Sequence, residues 1–318
     1  MTTNLLEVRV ARKTVEAVDI CGLELVACDG QPLPAFTAGS HVDVHLPNGL
    51  VRQYSIHNDP SERHCYRIAV LLDAASRGGS RAVHEMVQQG DLLRISMPRN
   101  LFPLAANIRH SLLLSGGIGI TPILSMARQL SAIQADFEMH YCTRSRERTA
   151  FLAEIQASAF ANQVRFHHDD AQAIDLAAVL AEPSPDRHLY FCGPKGFMDA
   201  VQKTAELQGW APENVHFEFF SAAPVKQADD GAFDVHLARS CRVVRVPATQ
   251  SVTQALAEAG VMIETSCEQG VCGTCLTRVL EGEPEHRDMF LSPGEQARND
   301  CFMPCCSRAR SATLVLDL

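Results

Sequence analysis

Apolar and polar positions change their rhythm twice along the chain. Over the first hundred residues Leu5–Val10 and Ile20–Val26 alternate imperfectly, and Asp29-Gly30 marks a turn. His41–Leu46 alternates cleanly before the turn Pro47-Asn48-Gly49, Ile68–Leu72 reads as a buried strand, and Leu92–Ser96 as the last of the set. Many short strands at regular spacing predict an antiparallel β-barrel. Beyond it the runs become continuous. Ser111–Ser115 is apolar throughout, as in a parallel strand, and a glycine-rich turn and a helix over Ile123–Leu130 follow at once. Phe137–Cys142, Val164–Asp170, His188–Cys192 and Val215–Phe220 continue the strands, with a helix over Lys195–Leu207. This alternation predicts an α/β domain with a parallel sheet. His167 and His168, as neighbours projecting to opposite sides, read as loop residues at a strand end.

The third rhythm follows a small, polar, turn-rich stretch, Ser221–Gly231, which reads as a linker. Phe233–Leu237 and Val243–Val246 alternate as a hairpin, and Ser251–Gly260 is a short amphipathic helix with an N-cap serine and a terminal glycine. Ala312–Leu318 is the closing strand. The expected architecture is multidomain: an antiparallel barrel over 1–105, an α/β domain over 106–222, a linker over 223–231, and a small β-rich domain over 232–318.

Composition narrows the class. A chain of 318 residues holds two or three domains. A net charge of −9 argues against nucleic-acid binding, and no stretch approaches the roughly 20 apolar residues needed to span a bilayer. Twelve cysteines behind an N-terminus with no leader pattern read as reduced thiols, so a cytoplasmic protein without a membrane partner is expected.

The chemistry concentrates in Cys267-Glu268-Gln269-Gly270-Val271-Cys272-Gly273-Thr274-Cys275, answered by Cys305-Cys306. The spacing C-x4-C-x2-C is that of a plant-type [2Fe–2S] ferredoxin, in which four thiolates hold two irons. Gly270 and Gly273 let the backbone approach closely, so that amide N–H groups point at the sulfurs. A zinc site would want a second spaced pair, and a dithiol would need no third cysteine upstream. Cys301, Cys305 and Cys306 all lie near the distance of the fourth ligand.

Four further motifs stand in order. Arg52-Gln53-Tyr54-Ser55 sets a phosphate-pairing cation, an aromatic face and a hydroxyl close together, which by themselves read as an ordinary strand with an exposed arginine. Gly78-Gly79-Ser80 opens a helix with free N–H groups, or else is a surface turn capped by Ser80. Gly116-Gly117-Ile118-Gly119-Ile120-Thr121-Pro122 joins a strand to a helix as a phosphate-binding crossover, without the G-x-G-x-x-G of standard dehydrogenases. Cys192-Gly193-Pro194 ends a strand in a turn.

In this order the motifs resemble the ferredoxin–NADP reductase superfamily, and the order of barrel, α/β domain and C-terminal ferredoxin resembles the phthalate dioxygenase reductase family within it, which implies an FMN-binding barrel over 1–105, an NAD-binding α/β domain over 106–222 and a β-grasp [2Fe–2S] ferredoxin domain over 232–318. The resemblance implies that Arg52, Gln53, Tyr54, Ser55, Ala69 and Val70 bind the flavin and Gly78, Gly79 and Ser80 its phosphate, which ends the cofactor at FMN. It places the NADH pyrophosphate at Gly116, Gly117, Gly119, Thr121 and Pro122, with Arg144 near the adenosine end. Cys192, Gly193 and Pro194 lie beside the nicotinamide, Phe220 lies against the flavin, and Ser55 and Cys192 line the hydride path. The cluster ligands become Cys267, Cys272, Cys275 and Cys305.

The implied activity is an NADH-dependent oxidoreductase. The flavin converts a hydride into single electrons for the cluster, and these pass to a Rieske-type terminal oxygenase. A methoxybenzoate O-demethylase acting on vanillate is the foremost partner, and a phthalate-type ring-hydroxylating dioxygenase the alternative. A stand-alone NADH:acceptor reductase and a non-enzymatic iron–sulfur sensor are the readings from other classes.

Overall fold

A computed structural model of the protein describes residues 5–74, 76–106, 109–220 and 230–318. The chain divides into two compact units, Met1–Phe220 and Ser221–Leu318. Residues 223–229 of the expected linker lie outside the described residues. Asp230 is enclosed within the second unit, where it pairs with Arg287 and lies 3.7 Å from Arg308.

The first unit begins with a seven-stranded antiparallel sheet. Its strands are β1 (Leu6–Ala17), β2 (Ile20–Ala27), β3 (Ser40–His45), β4 (Val51–Ser55), β5 (Tyr66–Leu71), β6 (Leu92–Ile95) and β7 (Arg99–Asn100). The hydrogen-bonded order β4-β3-β6-β1-β2-β5, with β7 beside β3, curls into a barrel-like shell. Val8, Val10, Leu25, Val42, Val44, Ile56, Ile68 and Ile95 fill it and are fully buried. Burying each such side chain contributes about 1.5–3 kcal/mol. Two expectations change here. β1 runs seven residues past Val10, kept in the sheet by irregular pairing with β2 between Val10 and Arg12 and between Val15 and Ala17. The clean alternation expected for His41–Leu46 is absent: His41, Val42, Asp43 and Val44 are all buried, because the far face of β3 is covered too.

A short helix, α1 (Gly79–Glu85), leads from β5 towards β6. The parallel sheet follows: β8 (His110–Gly116), α2 (Ile120–Ala132), β9 (Asp136–Thr143), α3 (Leu152–Gln156), β10 (Val164–His168), α4 (Leu176–Val179), β11 (Arg187–Cys192), α5 (Lys195–Gln208) and β12 (Val215–Glu218). Its order is β10-β9-β8-β11-β12. The chain therefore runs outward one way from β8 and then returns to its other side at β11. That reversal opens a crevice at the C-terminal ends of β8 and β11, where open α/β sheets bind ligands. The α2 helix begins three residues before the expected Ile123, because a 3-10 turn over Gly117–Gly119 feeds directly into it.

Leu112, Leu113 and Leu114 of β8 are wholly buried, as a strand covered on both faces requires. Ala38, Ala69 and Phe102 from the barrel share one core with Ile120, Ile123 and Leu124. On the other face Trp210 donates from Nε1 to the carbonyl of Leu180 at 2.9 Å, with the Arg187 guanidinium 5.5 Å from its ring centre. His167 and His168 belong to β10 itself rather than to a loop. His167 stacks on His140 at 5.1 Å, and His168 Nδ1 lies 2.9 Å from the Thr143 hydroxyl.

The second unit is a five-stranded mixed sheet in the order β14-β13-β19-β15-β17. It comprises β13 (Phe233–Leu237), β14 (Arg242–Val246), α6 (Val252–Glu258), β15 (Thr277–Glu281), β16 (Pro284–Glu285), α7 (Pro293–Gln296), β17 (Cys301–Phe302), β18 (Arg308–Ala309) and β19 (Thr313–Leu316). Ser251 and Gln254 form a reciprocal capping box that starts α6, and Gly260 at φ +78° follows its end. Val235, Val246, Leu256, Leu314 and Leu316 fill the space between helix and sheet. Among the described residues no helix is long and apolar enough to cross a membrane.

Candidate functional site

The cysteine loop lies between α6 and β15, where the backbone follows neither helix nor strand. Cys267, Cys272, Cys275 and Cys305 are all buried. Their sulfurs converge: Cys267 is within hydrogen-bonding reach of Cys272 and Cys305, and Cys305 of Cys275. The amides of Gln269 and Val271 donate to the Cys267 sulfur at 3.3 and 3.5 Å. Thiol hydrogen bonds from Cys272 and Cys305 hold the Cys267 thiol well below its ordinary range, while the same contacts push Cys272 and Cys305 upward, so the four sulfurs interact as one tight group.

Two glycines make this wrapping achievable. Gly270 (φ +73°) and Gly273 (φ +72°) are both left-handed. A Cβ on the first would overlap the Cys306 sulfur and lie 2.8 Å from Asp288 Cβ; on the second it would overlap the Phe290 ring. Cys301 stands on β17 opposite Arg278, leaving Cys305 as the fourth sulfur of the group. Four buried sulfurs facing one another, with amides aimed at one of them, fit an iron–sulfur cluster.

The barrel motif is assembled by register. Ser55 lies directly across from His41 in the β3–β4 ladder. The Arg52 side chain runs over α1, where a Cβ on Gly79 would come within 2.7 Å of Arg52 Cγ. Gly78 takes φ +96° at the start of that helix. Ser80 provides no cap; its hydroxyl instead accepts the Asp73 amide at 3.2 Å. Tyr54 is half-buried, and burial pushes its phenol upward. Ala69 and Val70 face opposite ways: Ala69 joins the core shared with the parallel sheet, and Val70 fills the barrel interior.

At the crevice of the parallel sheet the two glycine turns interlock. A Cβ on Gly119 would fall within 2.6 Å of the Gly193 nitrogen, and one on Gly116 within 2.9 Å of Pro194 Cδ. Thr121 and Pro122 are buried in the first turns of α2, and the Thr121 hydroxyl donates to the Ile118 carbonyl at 3.2 Å. Arg144 is exposed just beyond β9, and Phe220 is 36% exposed just beyond β12.

Cys192 ends β11 fully buried, and burial with the nearby Glu218 carboxylate raises its thiol well above the ordinary range. Parallel pairing sets Cys192 beside Glu218. Glu218 also hydrogen-bonds Ser55, and its Oε1 lies 4.0 Å from His41 Nδ1. Burial pushes the Glu218 carboxyl up to about 8 and His41 down to about 3. Sequence reading missed both Glu218 and His41. The one available signal was a lone carboxylate inside the run Phe217-Glu218-Phe219-Phe220. Both His41 nitrogens, Gln53 Nε2 and Glu218 Oε2 are buried without a partner. Unsatisfied donors and acceptors beside Ser55 fit the polar edge of a flavin ring.

Residues 235–310 match the 2Fe-2S iron-sulfur cluster binding domain family, and residues 113–203 the oxidoreductase NAD-binding domain family. A vanillate O-demethylase oxidoreductase of Pseudomonas sp. (strain HR199 / DSM 7063) is 54% identical, covering 99% of this chain and 100% of its own. A solved structure of phthalate dioxygenase reductase superposes with a TM-score of 0.80 at 41% identity, covering 99% of this chain and 98% of that one. The chain belongs to the phthalate dioxygenase reductase family. As a member it is an electron-transfer oxidoreductase component of an oxygenase system, with FMN, NADH and a [2Fe–2S] cluster as cofactors. The phthalate dioxygenase reductase of Burkholderia cepacia is 42% identical over 98% of the chain, so the likeness runs through both units.

Proposed function

We propose that this chain takes a hydride from NADH and delivers electrons singly to a Rieske-type aromatic oxygenase that O-demethylates a methoxybenzoate such as vanillate. The observation that carries the substrate is the 54% identity over the full length of a vanillate O-demethylase oxidoreductase. The bound flavin and cluster supply the change from a two-electron to a one-electron currency.

The protein's own residues bind and orient. In this reading Arg52 and the Gly78-Gly79-Ser80 turn hold the FMN phosphate, Tyr54 lies along the ring, and Gln53 and Ser55 meet its polar edge. Ala69 and Val70 line the same site. Gly116, Gly117, Gly119, Thr121 and Pro122 receive the pyrophosphate, Arg144 the adenosine end, and Gly193 and Pro194 the nicotinamide. Phe220 covers the flavin. Cys192, a neutral thiol, excludes water from the hydride path, and Glu218 fixes the Ser55 hydroxyl. Cys267, Cys272, Cys275 and Cys305 hold the cluster, and electrons leave near Glu268, Gln269 and Val271. Functional domains accordingly fall at 1–105, 106–222 and 232–318, and the protein works in the cytoplasm.

Reconstitution with NADH and separate oxygenase components tests the partner. Formaldehyde released from vanillate supports the proposal, and cis-diol from phthalate without demethylation overturns it. A second reading has support from a heme-dependent oxidative N-demethylase beta subunit of Ectopseudomonas mendocina, 41% identical over 99% of this chain. Turnover with a heme partner alone would favour it. NADH should exceed NADPH in kcat/KM, and a reversed ratio would give Arg144 a 2′-phosphate as its partner.

A further inference from the structure

Lys13 lies on the stretch of β1 that continues past Val10. One extra residue between Val10 and Arg12 shifts the phase of the strand there. Val10 pairs with Leu25 and Lys13 with Leu23, and both leucines belong to the barrel core. Lys13 therefore shares the inner face with Val8 and Val10, where an unshifted alternation would set Arg12.

Its ammonium ends at the last turn of α1. It donates to the carbonyls of Val83, His84 and Val87 at 3.0, 2.7 and 2.7 Å, which uses all three of its N–H groups. Two amides that would continue the helix are turned elsewhere: Val87 donates to the Ala82 carbonyl at 3.2 Å, and Gln88 to the Asp91 carboxylate at 2.8 Å. A half-buried cation thus closes carbonyls that the helix end leaves open. Ala82, Val83 and Val87 pack into the barrel core, and His84 Nε2 lies 2.9 Å from the Val70 carbonyl. At the other end of the same helix the Gly78 carbonyl accepts Asn48 Nδ2 at 3.1 Å, and Gly79 packs against the Arg52 side chain. The helix has seven residues, so its ends lie only about 10 Å apart and a shift of one reaches the other.

We propose that Lys13 is a positioning residue for the cofactor: by fixing the far end of α1 it holds the Gly78-Gly79-Ser80 turn against Arg52 at the spacing that the FMN phosphate needs. The inference rests on the reading of that turn as the phosphate site. Charge-assisted bonds are roughly twice as strong as neutral ones, and no other side chain donates to these three carbonyls among the described residues.

The test titrates full-length protein, freed of flavin but keeping its cluster, with FMN and with riboflavin, which has the same ring and no phosphate. Lys13→Met should raise the Kd for FMN by about tenfold, the cost of one buried carbonyl left unsatisfied, with the Kd for riboflavin within about twofold of native. Lys13→Arg, which keeps a cation and its donors, should restore the native preference. Should Lys13→Met fail to fold, Lys13→Gln reads the same ratio. Equal losses of both ligands make Lys13 a structural residue only and overturn the proposal, as does an unchanged Kd for FMN. Gly79→Ala probes the reading beneath it: if a methyl pressed on Arg52 leaves the preference for FMN intact, the turn does not hold the phosphate. In the holoprotein, amide hydrogen exchange over 79–87 gives a second readout, which Lys13→Met should speed up and Lys13→Arg should not.

Discussion

The two redox sites are built by opposite means. In the second unit three of the four converging sulfurs come from nine consecutive residues, Cys267–Cys275, with Cys305 joining from the turn after β17. Little but backbone lies between them, and glycines at positive φ make the path. In the first unit His41, Ser55, Cys192 and Glu218 come from β3, β4, β11 and β12 and meet only because two sheets pack together. That site depends on burial, which moves one carboxyl to about 8 and one imidazole to about 3. A local site tolerates change elsewhere and fails at its own ligands. A site made by packing should fail by degrees, and through pH.

The largest expected effect is on the local site. Cys305→Ser should abolish the cluster while flavin absorbance remains, measured as iron and sulfide per chain. If iron persists at two per chain, the fourth ligand lies elsewhere.

Truncation after Ala222 comes next. Each unit has its own core, so the fragment should fold and still reduce ferricyanide with NADH. It should lose most transfer to a one-electron protein acceptor such as cytochrome c. Undiminished cytochrome c reduction would remove the cluster from the exit route.

Gly119→Ala sharpens the comparison from the other side. Gly119 sits at φ −60°, so the change strains nothing by itself, but the new methyl meets the backbone of Cys192 and Gly193. Overpacking of this kind costs about 1–3 kcal/mol, which predicts roughly a tenfold rise in KM for NADH with the cluster spectrum unchanged. An unaltered KM would show that the crevice yields without cost.

The smallest effect, taken per pH unit, is a pH dependence. Glu218 has a raised carboxyl, so the folded state prefers it protonated. Its contribution to stability is fully present below the unfolded value near 4.5 and is lost as pH rises through about 8. Glu218→Gln should therefore gain on the native chain across that window, by on the order of 1 kcal/mol per pH unit. His41 works the other way, with stability held above about 6.5 and lost as pH falls towards about 3. A Gln variant whose advantage does not change with pH would mean that Glu218 is ionised in the fold.

Most of this architecture was legible because its signals are local. The continuous run Leu112–Leu114 announced a strand covered on both sides, the N-cap Ser251 and the terminal Gly260 announced α6, and the cysteine spacing announced the cluster. What escaped depends on distant partners. The alternation of His41–Leu46 looked like a half-exposed strand, and only the packing against its other face buries His41 and Asp43. Glu218 drew no notice among the phenylalanines, and only parallel pairing sets it beside Cys192. The residues at 167 and 168 read as loop residues because neighbours project to opposite sides and so share no site, yet each finds its own partner on β9.

Trp210 is the single tryptophan of the chain, and it lies in the first unit, 6% exposed, with its indole N–H bonded and an arginine over its ring. Intrinsic tryptophan emission is thus blind to the second unit. Visible bleaching of the cluster, conversely, reports on the second unit alone. One denaturation experiment read at two wavelengths therefore yields two separate unfolding curves from the intact chain, with no label and no cut.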